Sequence, residues 1–249
     1  MDRTDYIFGM RPVLEAIEAS KSIDKILIKR ELTGDLIKEV LAKAKENDIP
    51  VQKVPVEKLN RITMKNHQGV IAIVSPVRYY NLDNLVAGLY EEGKNPLAII
   101  LDGVTDARNF GAIARSAECA GVDFIIIPEK GSASVTSDAV RASAGALFHI
   151  PVCRVKDLGK SITRLQENGY KIVGASEKSV LNYTDISYTD PVAIVMGAED
   201  KGLSEDAMRK CDELGAIPIL GKVGSLNVSV ACGIIIYEAV RQRACQVLK

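Results

Sequence analysis

With 249 residues, 47% hydrophobic and 26% charged, the chain has the balance of a soluble globular protein, with apolar material for one large or two small domains. Its longest apolar stretches, such as Ala193–Met196 and Cys232–Tyr237, fall far short of the roughly 20 residues that cross a bilayer. Lysine plus arginine equals aspartate plus glutamate at 32 each, so net charge does not argue for nucleic acid, and any such contact needs a local basic face.

The opening Met1–Met10 mixes in Asp2, Arg3 and Asp5 rather than forming a signal peptide, and a cytoplasmic location is expected. The first elements read as helix Arg11–Ala19, strand Lys25–Lys29, helix Gly34–Asn47, strand Pro50–Val54, short helix Val56–Ile62 and strand Val70–Val74. The signals are apolar residues at helical spacing, such as Leu36, Val40 and Leu41, and β-branched runs bounded by Gly69 and Pro76. They predict a small α/β domain over residues 1–75, with Lys21, Lys25, Lys29 and Arg30 as its best basic cluster. Residues 76–95 contain Pro76, a tyrosine pair and the polar turn Gly93, Lys94, Asn95; they read as a linker with a lead-in helix over Leu82–Tyr90.

From residue 96 to 249 strands alternate with helices: Leu97–Leu101, Phe124–Ile127, Val152–Val155, Lys171–Ala175, Val192–Met196 and Gly215–Pro218. Near-continuous apolar strands of this kind belong to a parallel sheet covered by helices on both faces. A last helix is expected from near Leu226 to about Arg243, with Ser225 as its N-cap. The five cysteines form no CxxC pair, and the two histidines, His67 and His149, fall in different domains. Buried free thiols are expected rather than a disulfide framework, and no metal site.

Three glycine-containing segments stand out in this second domain: LDGVTDARNFGAIARSAECAG from Leu101, IVMGAEDKGLS from Ile194 and IPILGKVGSLNVSVACG from Ile217. Each joins an apolar strand to a helix and places polar side chains where open α/β sheets bind ligands, beyond the strand ends. Together they assemble Asn109, Arg115, Glu199, Ser225 and Asn227 into one candidate site. Gly197, Gly221 and Gly224 permit close backbone approach to a ligand. No G-x-G-x-x-G follows a strand; in GAIPILGKVGS the first glycine is one residue too distant and Val223 replaces the magnesium-binding Ser or Thr. Neither a dinucleotide fingerprint nor a phosphate loop fits.

The three segments resemble the motifs of the SpoU (TrmH-type) RNA ribose 2'-O-methyltransferases of the knotted SPOUT superfamily. The resemblance implies an α/β fold with a C-terminal trefoil-knotted parallel-sheet methyltransferase domain. It also implies S-adenosyl-L-methionine as cofactor, an RNA substrate and a homodimer with the site at its interface. Carried onto this chain, cofactor contacts come from Gly197, Ile217, Ser225 and Leu226, with Ile217 and Leu226 alternatively plain core residues. The catalytic set becomes Asn109, Arg115, Glu199 and Asn227. Asn109 is placed just before a helix starting near Gly111, with Arg115 about one turn inside. A guanidinium rarely yields its proton, so Arg115 suits the 3'-side phosphate and a developing alkoxide better than the role of general base; a structural salt bridge to Glu118 or Glu199 is the other reading. Glu199 orients Arg115 or the target ribose. Asn227 meets a base edge or ribose hydroxyl, or caps the last helix with Ser225.

The stretch SDAVRASAGALFHIPV from Ser137 resembles a further family segment, with Arg141 and Ser143 as phosphate contacts or as a solvated helix face. His67, in NHQGV, resembles a position in the family's N-terminal extension, and otherwise reads as a turn residue. The N-terminal unit resembles the ribosomal-protein-like RNA-binding domain of rRNA-modifying members. The expected substrate is therefore a guanosine in large-subunit (23S) rRNA, with tRNA and a non-catalytic RNA-binding assembly factor as alternatives. Dimerisation is expected to use the apolar side of the last helix at Val228, Cys232, Ile235 and Ile236, with packing of that side wholly inside one subunit as the other reading.

Overall fold

The structure is a computed structural model that describes residues 6–247. The chain folds as two units, one running to Arg78 and taking in Val135–Ser137, the other made of the remaining residues from Tyr79 onward.

In the first unit the order is β1 (Tyr6–Phe8), α1 (Met10–Glu18), β2 (Ile23–Lys29), α2 (Asp35–Glu46), β3 (Val51–Val54), α3 (Val56–Ile62) and β4 (Val70–Val74). The four strands lie in the order β1-β4-β2-β3, with β2 and β3 parallel and the other pairs antiparallel. Alternation along β2 sends Ile26 and Ile28 to one face, where Val13 and Ile17 of α1 and Ile37 and Val40 of α2 cover them. Leu27 faces the other way, onto Ile71, Ile73 and Leu59 of α3.

The second unit contains β5 (Tyr79–Tyr80), α4 (Leu82–Glu91), β6 (Leu97–Asp102), α5 (Ala107–Cys119), β7 (Phe124–Pro128), α6 (Ser137–Ala142), β8 (Val152–Val155) and α7 (Leu158–Glu167). It continues with β9 (Lys171–Ala175), β10 (Val192–Gly197), α8 (Glu205–Lys210), β11 (Glu213–Gly215) and α9 (Val228–Val247). All seven strands are parallel, in the order β11-β9-β10-β6-β7-β8-β5. Ile100, Ile126 and Val195 face α4, α7 and α8, packing on Val86, Ile162 and Ala207. Their alternates Ile99, Ile125 and Ile194 are equally buried on the opposite face, the side of α5 and α9, which pack on each other.

Several boundaries differ from the sequence reading. The tyrosine pair is not linker: Tyr79 and Tyr80 pair with Val152 and Cys153 as an edge strand. The last strand is Glu213–Gly215, so Ile217 lies beyond it in irregular chain. From β11 at the sheet edge the chain returns through residues 216–227 to α9, which packs on β10 in the middle of the sheet; this return is where the resemblance implies the knot.

Candidate active site

The ends of β6 and β10 are adjacent, Asp102 beside Gly197, and the chain leaves β6 for β7 on one side and β10 for β11 on the other. Such a switch point opens a crevice beyond the strand ends. After β6, Asp106 caps α5: its Oδ1 accepts from the backbone N–H of Arg108 (2.7 Å) and Asn109 (3.0 Å). Asn109 therefore sits in the first turn of a helix that begins at Ala107, four residues earlier than expected. After β10 the chain doubles back, Ala198 and Gly202 exchanging backbone hydrogen bonds of 2.9 and 2.8 Å, and Glu199 is held out at the tip. A Cβ on Gly197 would run into the backbone of Gly202 and Leu203, so this turn requires glycine there.

α9 starts one residue after Asn227, and Asn227, not Ser225, is its cap. Its Oδ1 accepts from Ser229 N (3.0 Å) and from the Ser229 hydroxyl (2.6 Å). With the oxygen so occupied, the amide nitrogen points outward and donates to Asn109 Oδ1 and Glu199 Oε1, both at 3.0 Å. Asn109 Nδ2 donates in turn to Glu199 Oε2 at 3.0 Å. The three side chains form a closed ring, and the positive N-terminal ends of α5 and α9 converge on the one carboxylate. Ser229, which helical spacing puts off the face of Asn227, is part of this assembly because Asn227 lies outside the helix proper.

Two hollows meet at this ring. A cleft of about 370 Å³ is lined by Gly197, Ala198 and Glu199 on one side and by Ile217, Ser225 and Leu226 on another, with Val228 and Ile235 at its floor. All four expected cofactor contacts thus line one cleft. The last residue of β9, Ala175, and the loop after it, Ser176–Lys178, also line it; the only sequence signal for this loop is that it too follows a strand. A second hollow, again about 370 Å³, is bounded by Gly103–Asp106, Asn109, Glu199, Asp200 and Val228. Glu199, Asp200 and Val228 are common to both.

Arg115 is not among the residues lining either hollow. Six residues beyond Asn109 on α5, it points about 120° away around the helix. It is exposed, and none of the described residues forms an ion pair with it, so the alternative reading, a structural salt bridge to Glu118 or Glu199, is not met. Ser143 is buried, donating to Val140 O (2.8 Å) and accepting from Leu147 N (3.3 Å), which makes it a helix-end residue rather than a phosphate contact. Arg141 is exposed, 3.7 Å from Asp138. His67 is buried and orders its turn: Nδ1 accepts from Gly69 N (3.0 Å) and Nε2 pairs with Asn60 Oδ1 (2.9 Å). Cys153 and Cys232 are buried and Cys211 half-buried, but Cys119 and Cys245 are exposed, contrary to expectation. Burial pushes the Cys153, Cys211 and Cys232 thiols up to about 12, leaving them protonated and unreactive at neutral pH. Among the described residues no cluster of His, Cys, Asp and Glu has the makings of a metal centre, and no helix is long and apolar enough to cross a membrane.

Residues 96–237 match the SpoU rRNA Methylase family model, and residues 6–80 match a model described as RNA 2'-O ribose methyltransferase substrate binding. A Staphylococcus haemolyticus protein bearing the name TrmH family tRNA/rRNA methyltransferase is 39% identical over 237 residues, 95% of each chain. Among solved structures, the SpoU methyltransferase AviRb from Streptomyces viridochromogenes, in complex with AdoMet, superimposes with a TM-score of 0.62 at 28% identity, covering 96% of this chain and 90% of that one. The A. aeolicus TrmH/SpoU tRNA modifying enzyme reaches a TM-score of 0.56 at 29% identity, covering 67% of this chain and 86% of its own.

Proposed function

Because the chain belongs to the SpoU rRNA methylase family, we infer that it methylates a ribose 2'-hydroxyl of RNA from S-adenosyl-L-methionine, with a guanosine of large-subunit rRNA as target. The observation that carries this reading is the closed ring of Asn109, Glu199 and Asn227, set where two hollows meet. The preference for rRNA is supported by the N-terminal unit, which matches the substrate-binding model, whereas the tRNA-modifying structure covers only 67% of the chain.

The first cleft fits the cofactor. Its volume of about 370 Å³ falls within the range of small-ligand sites; Ile217, Leu226 and Ile235 supply apolar walls for a purine ring, and backbone groups around Gly197 and Gly224 supply polar edges. When bound, S-adenosylmethionine supplies an electrophilic methyl on a sulfonium sulfur. The second hollow receives the acceptor nucleotide, because Glu199 borders both. Glu199 keeps a lone pair on each oxygen beyond its bonds to Asn109 and Asn227; it accepts a hydrogen bond from the ribose 2'-hydroxyl and would take the proton that this hydroxyl gives up. The second N–H of Asn109 steadies the oxygen as charge develops there. Asn227 fixes both groups and need not touch RNA. Alignment of hydroxyl, methyl and leaving sulfur is the main contribution of such a site.

Arg115 lies apart from this ring, so its phosphate-clamping role requires a second subunit. In the dimer we infer, Arg115 of one copy completes the site formed by Asn109 and Glu199 of the other. Mixing an Arg115→Ala chain with a Glu199→Gln chain, each strongly impaired alone, should then raise activity well above either through the one intact site of the heterodimer.

Labelled S-adenosylmethionine, incubated with protein and protein-free bacterial rRNA or tRNA, should place label in rRNA on a ribose, as an alkali-resistant dinucleotide, and activity should survive EDTA. Label in tRNA alone would move the target. Failure to bind the cofactor by calorimetry would leave a non-catalytic RNA-binding factor, and magnesium rescue after EDTA, with the RNA still folded, would overturn the metal-free reading. The reaction is placed in the cytoplasm, where its RNA is made.

A further inference from the structure

We propose that one end of the N-terminal unit, carrying Arg11, Lys29, Arg30 and Lys65, is the surface that grips the RNA phosphate backbone; this rests on the RNA methyltransferase reading. Three separate stretches are tied together there. Gly9 N donates to Val70 O (3.0 Å), Met10 N to Gln68 Oε1 (3.1 Å) and Lys29 N to Gly69 O (2.8 Å). Arg30 N donates to Val54 O (2.9 Å), which brings in the end of β3. The turn at the centre is rigid, held by the buried His67 through Gly69 and Asn60. Onto this frame the sequence places four exposed cations; the nearby acids are Glu31 in the loop after β2, Glu57 at the start of α3 and Glu15 one turn from Arg11 on α1. Asp35, four residues past Glu31, is paired with Lys38 at 3.0 Å. None of the described residues forms an ion pair with Arg11, Lys29, Arg30 or Lys65, and the Lys65 ammonium is steadied 5.9 Å from the centre of the Phe8 ring. A protein of zero net charge needs its phosphate-binding cations gathered in one place, and this rim gathers them.

The basic cluster visible in the sequence divides at this point. Lys29 and Arg30 follow β2 and Lys21 precedes it, so they lie roughly 20 Å apart at opposite ends of a seven-residue strand. Lys21 belongs to the other end, and provides the control.

The test uses the full chain, a fluorescein-labelled RNA stem-loop and anisotropy titrations across a range of salt. Each phosphate contact contributes about 0.7–0.9 to the slope of log affinity against log salt. The variant Arg11→Ala/Arg30→Ala/Lys65→Ala should therefore bind more weakly, with a slope shallower by about 2–3. Lys21→Ala should keep the wild-type slope, and cofactor affinity by calorimetry should be unchanged in both. The three single substitutions, each at an exposed side chain, should show the same loss in about equal parts if the triple variant does not fold. A triple variant or set of singles with wild-type slope and affinity would sink the proposal, as would an equal loss from Lys21→Ala. A wild-type chain that binds no RNA would instead bring down the methyltransferase reading on which it rests.

Discussion

Asn227 is a helix cap and a hub at once, and its two ends explain each other. The oxygen, held by Ser229, caps α9, and this leaves the two amide hydrogens for Asn109 and Glu199. Asn227→Ala should lose about 1 kcal/mol of stability as a cap, read by urea denaturation, and a larger factor in kcat because Glu199 loses its support. Glu199→Gln keeps the shape and removes the charge. Its kcat should fall about 10²-fold while cofactor affinity holds; unchanged kcat would show that Glu199 only braces the loop. Arg115→Lys retains charge without the bidentate fork, so it should keep partial activity where Arg115→Ala is nearly inactive, again with little change in cofactor binding. Loss of cofactor binding in both would make Arg115 structural.

Among the elements, the turn after β10 and the end of α9 carry the site. Gly197→Ala would push a Cβ into the backbone of Gly202 and Leu203, and should cost about 1–3 kcal/mol of overpacking strain together with cofactor affinity, since the same turn lines the cleft. Binding at wild-type strength in a folded variant would mean that the turn is not what the cofactor reads. At the far end of α9, Arg243 donates to four backbone carbonyls: Tyr188 (2.9 Å), Asn95 (2.7 Å), Pro96 (3.2 Å) and Asp190 (2.8 Å). It thereby ties α9 to the segments that enter β6 and β10. Arg243→Ala should destabilise by about 2–3 kcal/mol, because it strands partly buried acceptors, with the shift visible in the urea midpoint and kcat of the folded fraction unaltered.

At the scale of the whole molecule, α9 has two apolar sides. Val228, Cys232, Ile235 and Ile236 are at most 7% exposed, so of the two readings of this side the one that packs it inside a single chain holds, and it is not a dimer surface. The remaining stripe is Val230, Ile234 and Tyr237, with Val230 51% and Tyr237 52% exposed. This stripe is the face a second copy is expected to cover. Val230→Glu with Tyr237→Glu should give a monomer by sedimentation, folded by circular dichroism and inactive because Arg115 has no partner site. A monomer with full activity would remove the need for the second subunit.

Most of the architecture was legible because it rests on local pattern. Apolar runs such as Ala98–Ile100 and Val192–Met196 read as buried parallel strands, and the spacing of Leu36, Val40 and Leu41 as an amphipathic helix; the helix forms, but its buried face is Ile37, Val40 and Ala44, while Leu41 is exposed. The short strands Tyr6–Phe8 and Tyr79–Tyr80 were not legible, since two or three residues have no period and exist only through their partners. Of the site, local pattern shows which residue types stand at which strand ends, since strand, glycine and polar group are adjacent in the chain. That Asn109, Glu199 and Asn227, up to 118 positions apart, close into one ring while Arg115, six positions from Asn109, stays outside it follows from how the elements pack. Hydrogen bonds depend on direction and a few tenths of an ångström, and a helix turns about 100° per residue, so neighbours in sequence can face apart and distant residues can meet.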